Sequence, residues 1–260
     1  MHFRVIILKR KAWPSFTIPM LCQDVKSGPM GISLMGLQQQ LDAFKAEFAR
    51  TAPAGRAALF EAKIEELRAS FALERAIGLG DQAPDFRLPD AKGGVVSLHD
   101  LLQSGPAVVT FYRGGWCPYC NIQLRAYQAI LPEITELGAR LVAISPQLPD
   151  GSLSTAEANA LTFDVLSDVG NDVARRFRLV WSLPEELRAA LRSNNKALPG
   201  VNGDDSWELP VPATYVIARD GRVALAAVEV DYRQRLEPDA ILDALKALRA
   251  GDTPKPEETP

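Results

Sequence analysis

Ala107-Val108-Val109-Thr110-Phe111-Tyr112 leads without interruption into Arg113-Gly114-Gly115 and then Trp116-Cys117-Pro118-Tyr119-Cys120, so two of the chain's three cysteines stand three apart directly after an apolar run. The run predicts a strand, the glycine pair a sharp turn, and Pro118 the first position of a helix. Both sulfurs then fall within the first helical turn, toward which unpaired N–H groups and the positive end of the helix dipole point. The thiolate is the reactive form of cysteine, and such a setting lowers a thiol's pKa. No acidic residue stands between Asp100 and Glu133, while Arg113 and Arg125 flank the pair, so nothing near it in sequence opposes a negative sulfur. Two blander readings are a structural zinc site and a pair of inert core thiols. Zinc needs about four ligands, and the remaining Cys22, His2 and His99 offer no ligand spacing, which argues against any metal. Inert thiols would not require Gly-Gly, Pro118 and an acid-free neighbourhood together.

The chain of 260 residues is 47% hydrophobic and 23% charged, enough for one main domain with a substantial core and an appendage. A formal net charge of −3 gives no sign of a nucleic-acid partner. No apolar stretch approaches the roughly twenty residues of a membrane helix. A reactive cysteine pair and one further cysteine fit a reducing compartment, hence a cytoplasmic location, better than a disulfide-stapled secreted scaffold.

Residues 1–34 read as an extension, with Met30 or Met35 as an alternative natural start. Lys9-Arg10-Lys11 precedes an apolar stretch, but Pro14 and Pro19 interrupt it and no small-x-small cleavage site follows. Over 35–77 the pattern is helical: Leu37, Leu41, Phe44 and Phe48 share one face, and after Ala52-Pro53-Ala54-Gly55 a second face carries Phe60, Ile64, Leu67 and Phe71. Such stripes are packing surfaces in preference to partner grooves, and this helical arm covers the main domain or builds a homodimer contact.

From residue 78 to 250 helical and strand patterns alternate. A hairpin around Lys92-Gly93-Gly94 leads to a helix start at Ser97. The cysteine helix carries Leu124, Tyr127, Leu131, Ile134 and Leu137 inward, with a kink expected at Pro132 and an end at Gly138. Strands follow at 140–145 and 163–166, then a helix over 169–177, an irregular stretch, a hairpin of 213–217 with 223–230, and a last helix over 238–248. The tail 251–260, with three prolines and no apolar side chain, is expected to be disordered.

A β-α-β half followed by a β-β-α half, with Cys-x-x-Cys at the first long helix and Pro212 before the hairpin, resembles the thioredoxin fold: an α/β domain whose central mixed sheet is flanked by helices, here with an N-terminal helical hairpin. More narrowly the chain resembles the alkyl hydroperoxide reductase/thiol-specific antioxidant family, the peroxiredoxins and their relatives. The likeness rests on Gly80-Asp81-Gln82-Ala83-Pro84-Asp85-Phe86, Val109-Thr110-Phe111-Tyr112, Leu166-Ser167-Asp168 with Val173-Ala174, and Pro212-Ala213-Thr214-Tyr215-Val216-Ile217 with Asp220-Gly221. It implies reduction of hydrogen peroxide or organic hydroperoxides without a cofactor, through a cysteine pair recycled by a thioredoxin- or glutaredoxin-type dithiol.

The departures are specific. Counted from Phe111-Tyr112, Arg113 takes the place of the family's proline, Cys117 that of its threonine and Cys120 that of its peroxidatic cysteine. The family's later arginine has no counterpart at Val211-Pro212-Ala213. Pro212 instead resembles the cis-proline of thioredoxins, which packs against the disulfide. By resemblance Cys120 attacks; by helix-terminus physics Cys117, nearer the cap and expected to be more exposed, attacks and Cys120 resolves, the reading preferred here. Arg113 is the candidate positive group beside the sulfur and Trp116 the shield of the disulfide. A thioredoxin-like exchange enzyme without peroxidase activity is the second reading, and a non-catalytic redox sensor the third.

Overall fold

A computed structural model describes residues 35–251. The expected extension 1–34, with Cys22, and the tail 252–260 lie outside the described residues. The chain enters through α1 (Leu37–Thr51) and α2 (Arg56–Ser70), an antiparallel pair. Leu37 and Leu41 are buried against α4, described below, in one core with Tyr119 and Leu124. The α2 stripe buries Ile64, and the Phe48 and Phe60 rings meet edge to face at 5.9 Å. The two stripes are thus packing surfaces, as their spacing predicts.

A short antiparallel pair, β1 (Arg87–Pro89) and β2 (Val95–Ser97), turns through Lys92-Gly93-Gly94. Ser97 then caps α3 (Leu98–Ser104), its hydroxyl accepting the Asp100 N–H at 3.0 Å. Next come β3 (Ala107–Phe111), α4 (Pro118–Ala129), α5 (Leu131–Glu136), β4 (Arg140–Ser145), α6 (Pro149–Ala158), β5 (Asp164–Ser167) and α7 (Asp172–Arg176). The insertion β6 (Val180–Ser182), α8 (Glu185–Arg192), α9 (Leu198–Asn202) and β7 (Glu208–Pro210) precedes β8 (Ala213–Ile217), β9 (Val223–Val228) and α10 (Pro238–Ala250).

The main sheet runs β5-β4-β3-β8-β9, with β3, β4 and β5 mutually parallel and β8 antiparallel to both of its neighbours, β3 and β9. The fully buried β3 lies at its centre. Val108 and Tyr112 face one core, with α1, α4 and α10, while Ala107, Val109 and Phe111 face a second core, with α3 and α7. Helices therefore cover both faces of a mixed sheet, the fold expected, and the end of its central strand delivers the cysteine segment.

Several local expectations need correcting. The kink at Pro132 is a full break: α4 stops at Ala129, Ile130 sits at φ −95°, ψ 3°, and α5 begins with Pro132 in its first turn, where the missing N–H costs no hydrogen bond. The helix expected over 169–177 is only Asp172–Arg176, because the Asp168 carboxylate accepts the N–H groups of Val173 and Ala174 at 3.0 and 2.8 Å and holds the preceding residues in a turn. Pro212 is trans, since no cis peptide occurs among the described residues. The backbone runs extended from β7 into β8, with the Val211 N–H bonded to Leu179 O and Pro212 O accepting the Glu229 N–H at 2.9 Å, a course that a cis bond would bend. The stretch read as irregular folds around its own core of Leu183, Leu187, Leu191, Leu198, Trp207 and Leu209.

Candidate active site

After Tyr112, whose N–H extends the β3–β4 ladder to Ile144 O, the chain turns through Gly114 and Gly115. Gly114 has φ +132°, and a Cβ there would lie 2.5 Å from Trp116 Nε1; at Gly115 it would lie 2.1 Å from Thr155 Oγ1. The pair thus permits both the turn and the close approach of the turn to α6. Gly115 N–H donates to Gln147 Oε1 at 2.7 Å and Asn121 Nδ2 to Gly115 O at 2.8 Å, fixing the loop on both sides. Cys117 then occupies the N-cap of α4, with Pro118 behind it.

Both cysteines are reduced, and both are buried: 1% of Cys117 and 0% of Cys120 is exposed. The greater exposure expected of Cys117 does not occur. Its access runs instead through a cavity of about 120 Å³ that Cys117 lines and Cys120 does not. A larger open groove of about 840 Å³, between α2 and β6, contains neither sulfur.

Arg113 Nη1 lies 3.7 Å from Cys117 Sγ. Its buried guanidinium is held between two rings, 4.0 Å from Tyr232 and 4.9 Å from Trp116, and π-faces stabilise a cation in that geometry. Lys196 Nζ donates to Trp116 O at 2.6 Å and, through burial, is more readily deprotonated than an ordinary lysine. The second sulfur has its own cation, because Arg235 Nη2 lies 3.6 Å from Cys120 Sγ. Arg235 Nε donates to Gln123 Oε1 at 2.8 Å, and Gln123 Nε2 donates to Thr110 Oγ1 and Thr214 Oγ1 at 3.3 and 3.4 Å. The polar positions on the site-facing side of β3 and β8 therefore orient Arg235 through one glutamine.

The segment 231–237 carries Tyr232 and Arg235 and is tied to the helical arm. Arg233 is held by Asp231 at 2.7 and 2.8 Å and by Glu61 of α2 at 2.5 and 3.0 Å. Glu237 accepts the first N–H groups of α1, from Leu37 and Gln38, at 3.0 and 2.7 Å.

These charges separate the two thiols. Burial alone would raise the Cys117 pKa, but a hydrogen bond from Cys120 and the positive charges of Arg113 and Arg235 outweigh it, holding the thiol well below its ordinary range. Burial pushes Cys120 well above that range, and the hydrogen bond and charge of Cys117 push it the same way. One sulfur is thus set up as a thiolate beside a thiol donor.

The structure brings Cys117, Cys120, Arg113 and Trp116 together. Pro212, buried at the entry to β8, is not among the residues lining the cavity. Arg125 turns away to Asn159 Oδ1 at 2.7 Å. Tyr232, Arg235, Gln123 and Lys196 escaped the sequence reading. The only signal available was the run Asp231-Tyr232-Arg233-Gln234-Arg235 after an apolar strand, which looks like solvated surface charge.

A five-stranded mixed sheet covered by helices on both faces, with Cys-x-x-Cys at the start of the helix that follows its central strand, marks the thioredoxin fold. Residues 79–226 match the model of the AhpC/TSA family, to which the chain belongs. Peroxiredoxin Bcp of Escherichia coli strain K12 is 34% identical over 167 residues, 64% of this chain and 94% of Bcp. The chloroplastic peroxiredoxin Q of Sedum lineare is 28% identical over 172 residues, 66% of this chain and 77% of that one. The crystal structure of peroxidoxin BcpB from Mycobacterium tuberculosis is similar over 66% of this chain and 98% of its own, with 25% identity and a TM-score of 0.52. The chain is an oxidoreductase of the peroxiredoxin kind, a thiol-dependent peroxidase.

Proposed function

We propose that Cys117 attacks the hydroperoxide and Cys120 resolves the product. The observation that carries this assignment is the asymmetry of the pair: Arg113 stands at Cys117, and the cavity reaches that sulfur alone. The Cys117 thiolate attacks the terminal oxygen of R–O–OH; an S–O bond forms and the O–O bond breaks, its electron pair leaving on the alkoxide. The Cys120 thiol supplies the proton that makes R–OH. Its own thiolate then attacks the Cys117 sulfenic acid, expelling hydroxide and leaving a Cys117–Cys120 disulfide. Arg113 stabilises the attacking thiolate, and Arg235 stabilises the resolving one. In this chemistry Cys117 itself stands where the family places a threonine, so the guanidinium of Arg113 takes over orientation of the peroxide.

A thioredoxin- or glutaredoxin-type dithiol returns the disulfide to thiols by exchange, which places the cycle in a reducing compartment such as the cytoplasm. In a peroxidase assay coupled to a thioredoxin system, Cys117→Ser and Cys120→Ser should each abolish turnover. Only Cys120→Ser should accumulate a sulfenic acid that a dimedone-type probe labels. Labelling of Cys120 in Cys117→Ser would reverse the assignment. A wild type that consumes no peroxide yet reduces a protein disulfide would establish the exchange enzyme instead.

A further inference from the structure

The insertion between α7 and β8 leaves one strand edge open. In the β6–β7 ladder Trp181 pairs with Leu209, and the flanking bonds, Val211 N–H to Leu179 O at 2.8 Å and Leu183 N–H to Trp207 O at 3.0 Å, fix its alternation. Leu179, Trp181 and Leu183 therefore turn their backbone groups toward β7, and Val180 and Ser182 turn theirs away. Among the described residues no backbone partner meets those outward N–H and C=O groups. They border the groove of about 840 Å³, which Val180, Trp181 and Ser182 line and no residue of β7 does. An uncovered edge is a template for another strand, and folds usually blunt one with proline or lysine. Val180-Trp181-Ser182 carries neither.

The facing wall is α2 and the turn after it, where Leu67 and Phe71 stay half-buried. The lining is cationic: Lys63, Arg75, Arg175 and Arg178 stand against Glu66 alone. Lys63 is paired with Glu66 and Glu186, and Arg175 with Glu208. Arg75 and Arg178 are exposed, and among the described residues neither forms a salt bridge; Arg178 Nη1 donates to Arg75 O at 3.0 Å, which brings the two together. A second copy of this chain pairing β6 with β6 would set the positive groove against itself. The complement of the edge and its two unpaired arginines is an extended chain that carries carboxylates.

We propose that this groove binds an extended acidic segment of another protein, which adds to β6 as a third strand and sets its carboxylates on Arg75 and Arg178. Backbone bonds to Val180 and Ser182 hold the segment, and the arginines select for acid. The groove shares no lining residue with the cavity over Cys117, so the segment docks without occupying the path to that sulfur. The docking is independent of which cysteine attacks.

The probes are a short, end-blocked, fluorescein-labelled peptide that alternates Glu with Val, and its Lys-Val counterpart. The acidic peptide should bind the wild type saturably, less tightly as salt is added, and should slow hydrogen exchange at the Val180 and Ser182 amides; the basic one should do neither. Ser182→Pro deletes an outward donor without touching the ladder to β7, and Arg75→Glu with Arg178→Glu reverses the charge. Each change should weaken binding about tenfold or more, with peroxide turnover by the cysteine pair as in the wild type. Absence of saturable binding, equal binding of the two peptides, or unchanged affinity in the folded variants overturns the proposal. Should a variant fail to fold, the wild type decides alone: binding that leaves the Val180 and Ser182 amides unprotected overturns the strand addition. A wild-type dimer that Ser182→Pro dissociates would assign the edge to a second copy and overturn the acidic partner.

Discussion

Replacing Arg113 by glutamine removes the guanidinium 3.7 Å from Cys117 Sγ while keeping a polar side chain of related length. Burial, which raises the thiol's pKa, is then less well opposed, so the midpoint for iodoacetamide alkylation of Cys117 should move upward from the wild-type position. A rise of one pH unit in that midpoint corresponds to about 1.4 kcal/mol. In the wild type the sign is the reverse: the folded protein depresses this pKa, so the alkylation rate should stay flat as pH falls through the ordinary thiol range near 8.5 and decline only further down. A wild-type midpoint at or above about 8.5 would remove the basis for attack by Cys117. Arg235→Met should act on the other sulfur. Without that cation Cys120 ionises less readily, resolution slows, and the dimedone-sensitive form should persist longer after a single peroxide pulse.

The turn between β3 and α4 is where backbone geometry and chemistry are hardest to separate. In Gly115→Ala the new methyl meets the Thr155 side chain at 2.1 Å, so either the loop or α6 must shift. Overpacking of this kind costs about 1–3 kcal/mol, a fall in Tm of about 2–4 °C per kcal/mol for a domain of this size. Peroxidase activity should fall further than stability, because the displaced loop carries Arg113 and Cys117; a variant with normal kcat/KM would mean that the turn tolerates motion. This segment was also the most legible in the sequence, since its strand, glycines, proline and cysteines are contiguous. The same holds for β4, whose apolar run over 140–145 is the strand itself. In contrast, β6 and β7 have three residues each and pair across an insertion, too short to show a period, and α6 begins with the turn-like Pro149-Asp150-Gly151-Ser152. Arg235 was invisible for a different reason: 115 positions separate it from Cys120, and nothing local marks an arginine that folding will bury.

Oxidation should be a local event in an otherwise unchanged molecule. The sulfurs share one helical turn, and closing a disulfide between them requires no element to leave the sheet. Mass analysis after mild oxidation should find a loss of two hydrogens in a peptide joining Cys117 to Cys120, with Cys22 free. Hydrogen exchange should differ between the two redox forms only around 113–121 and 231–237. Cys22 in the dominant disulfide would contradict the site.

Arg233 gives the helical arm a second significance. Through Glu61 and Asp231 it fastens α2 to the segment that supplies Tyr232 and Arg235, while Glu237 of that segment fastens α1. An arm that detached would release the ring lying on Arg113 and the cation beside Cys120 in the same event. The cavity over Cys117 would open and the charge beside Cys120 would be lost in one step. The arm is therefore not a cover laid over a finished site but one of the parts that hold its charges in place.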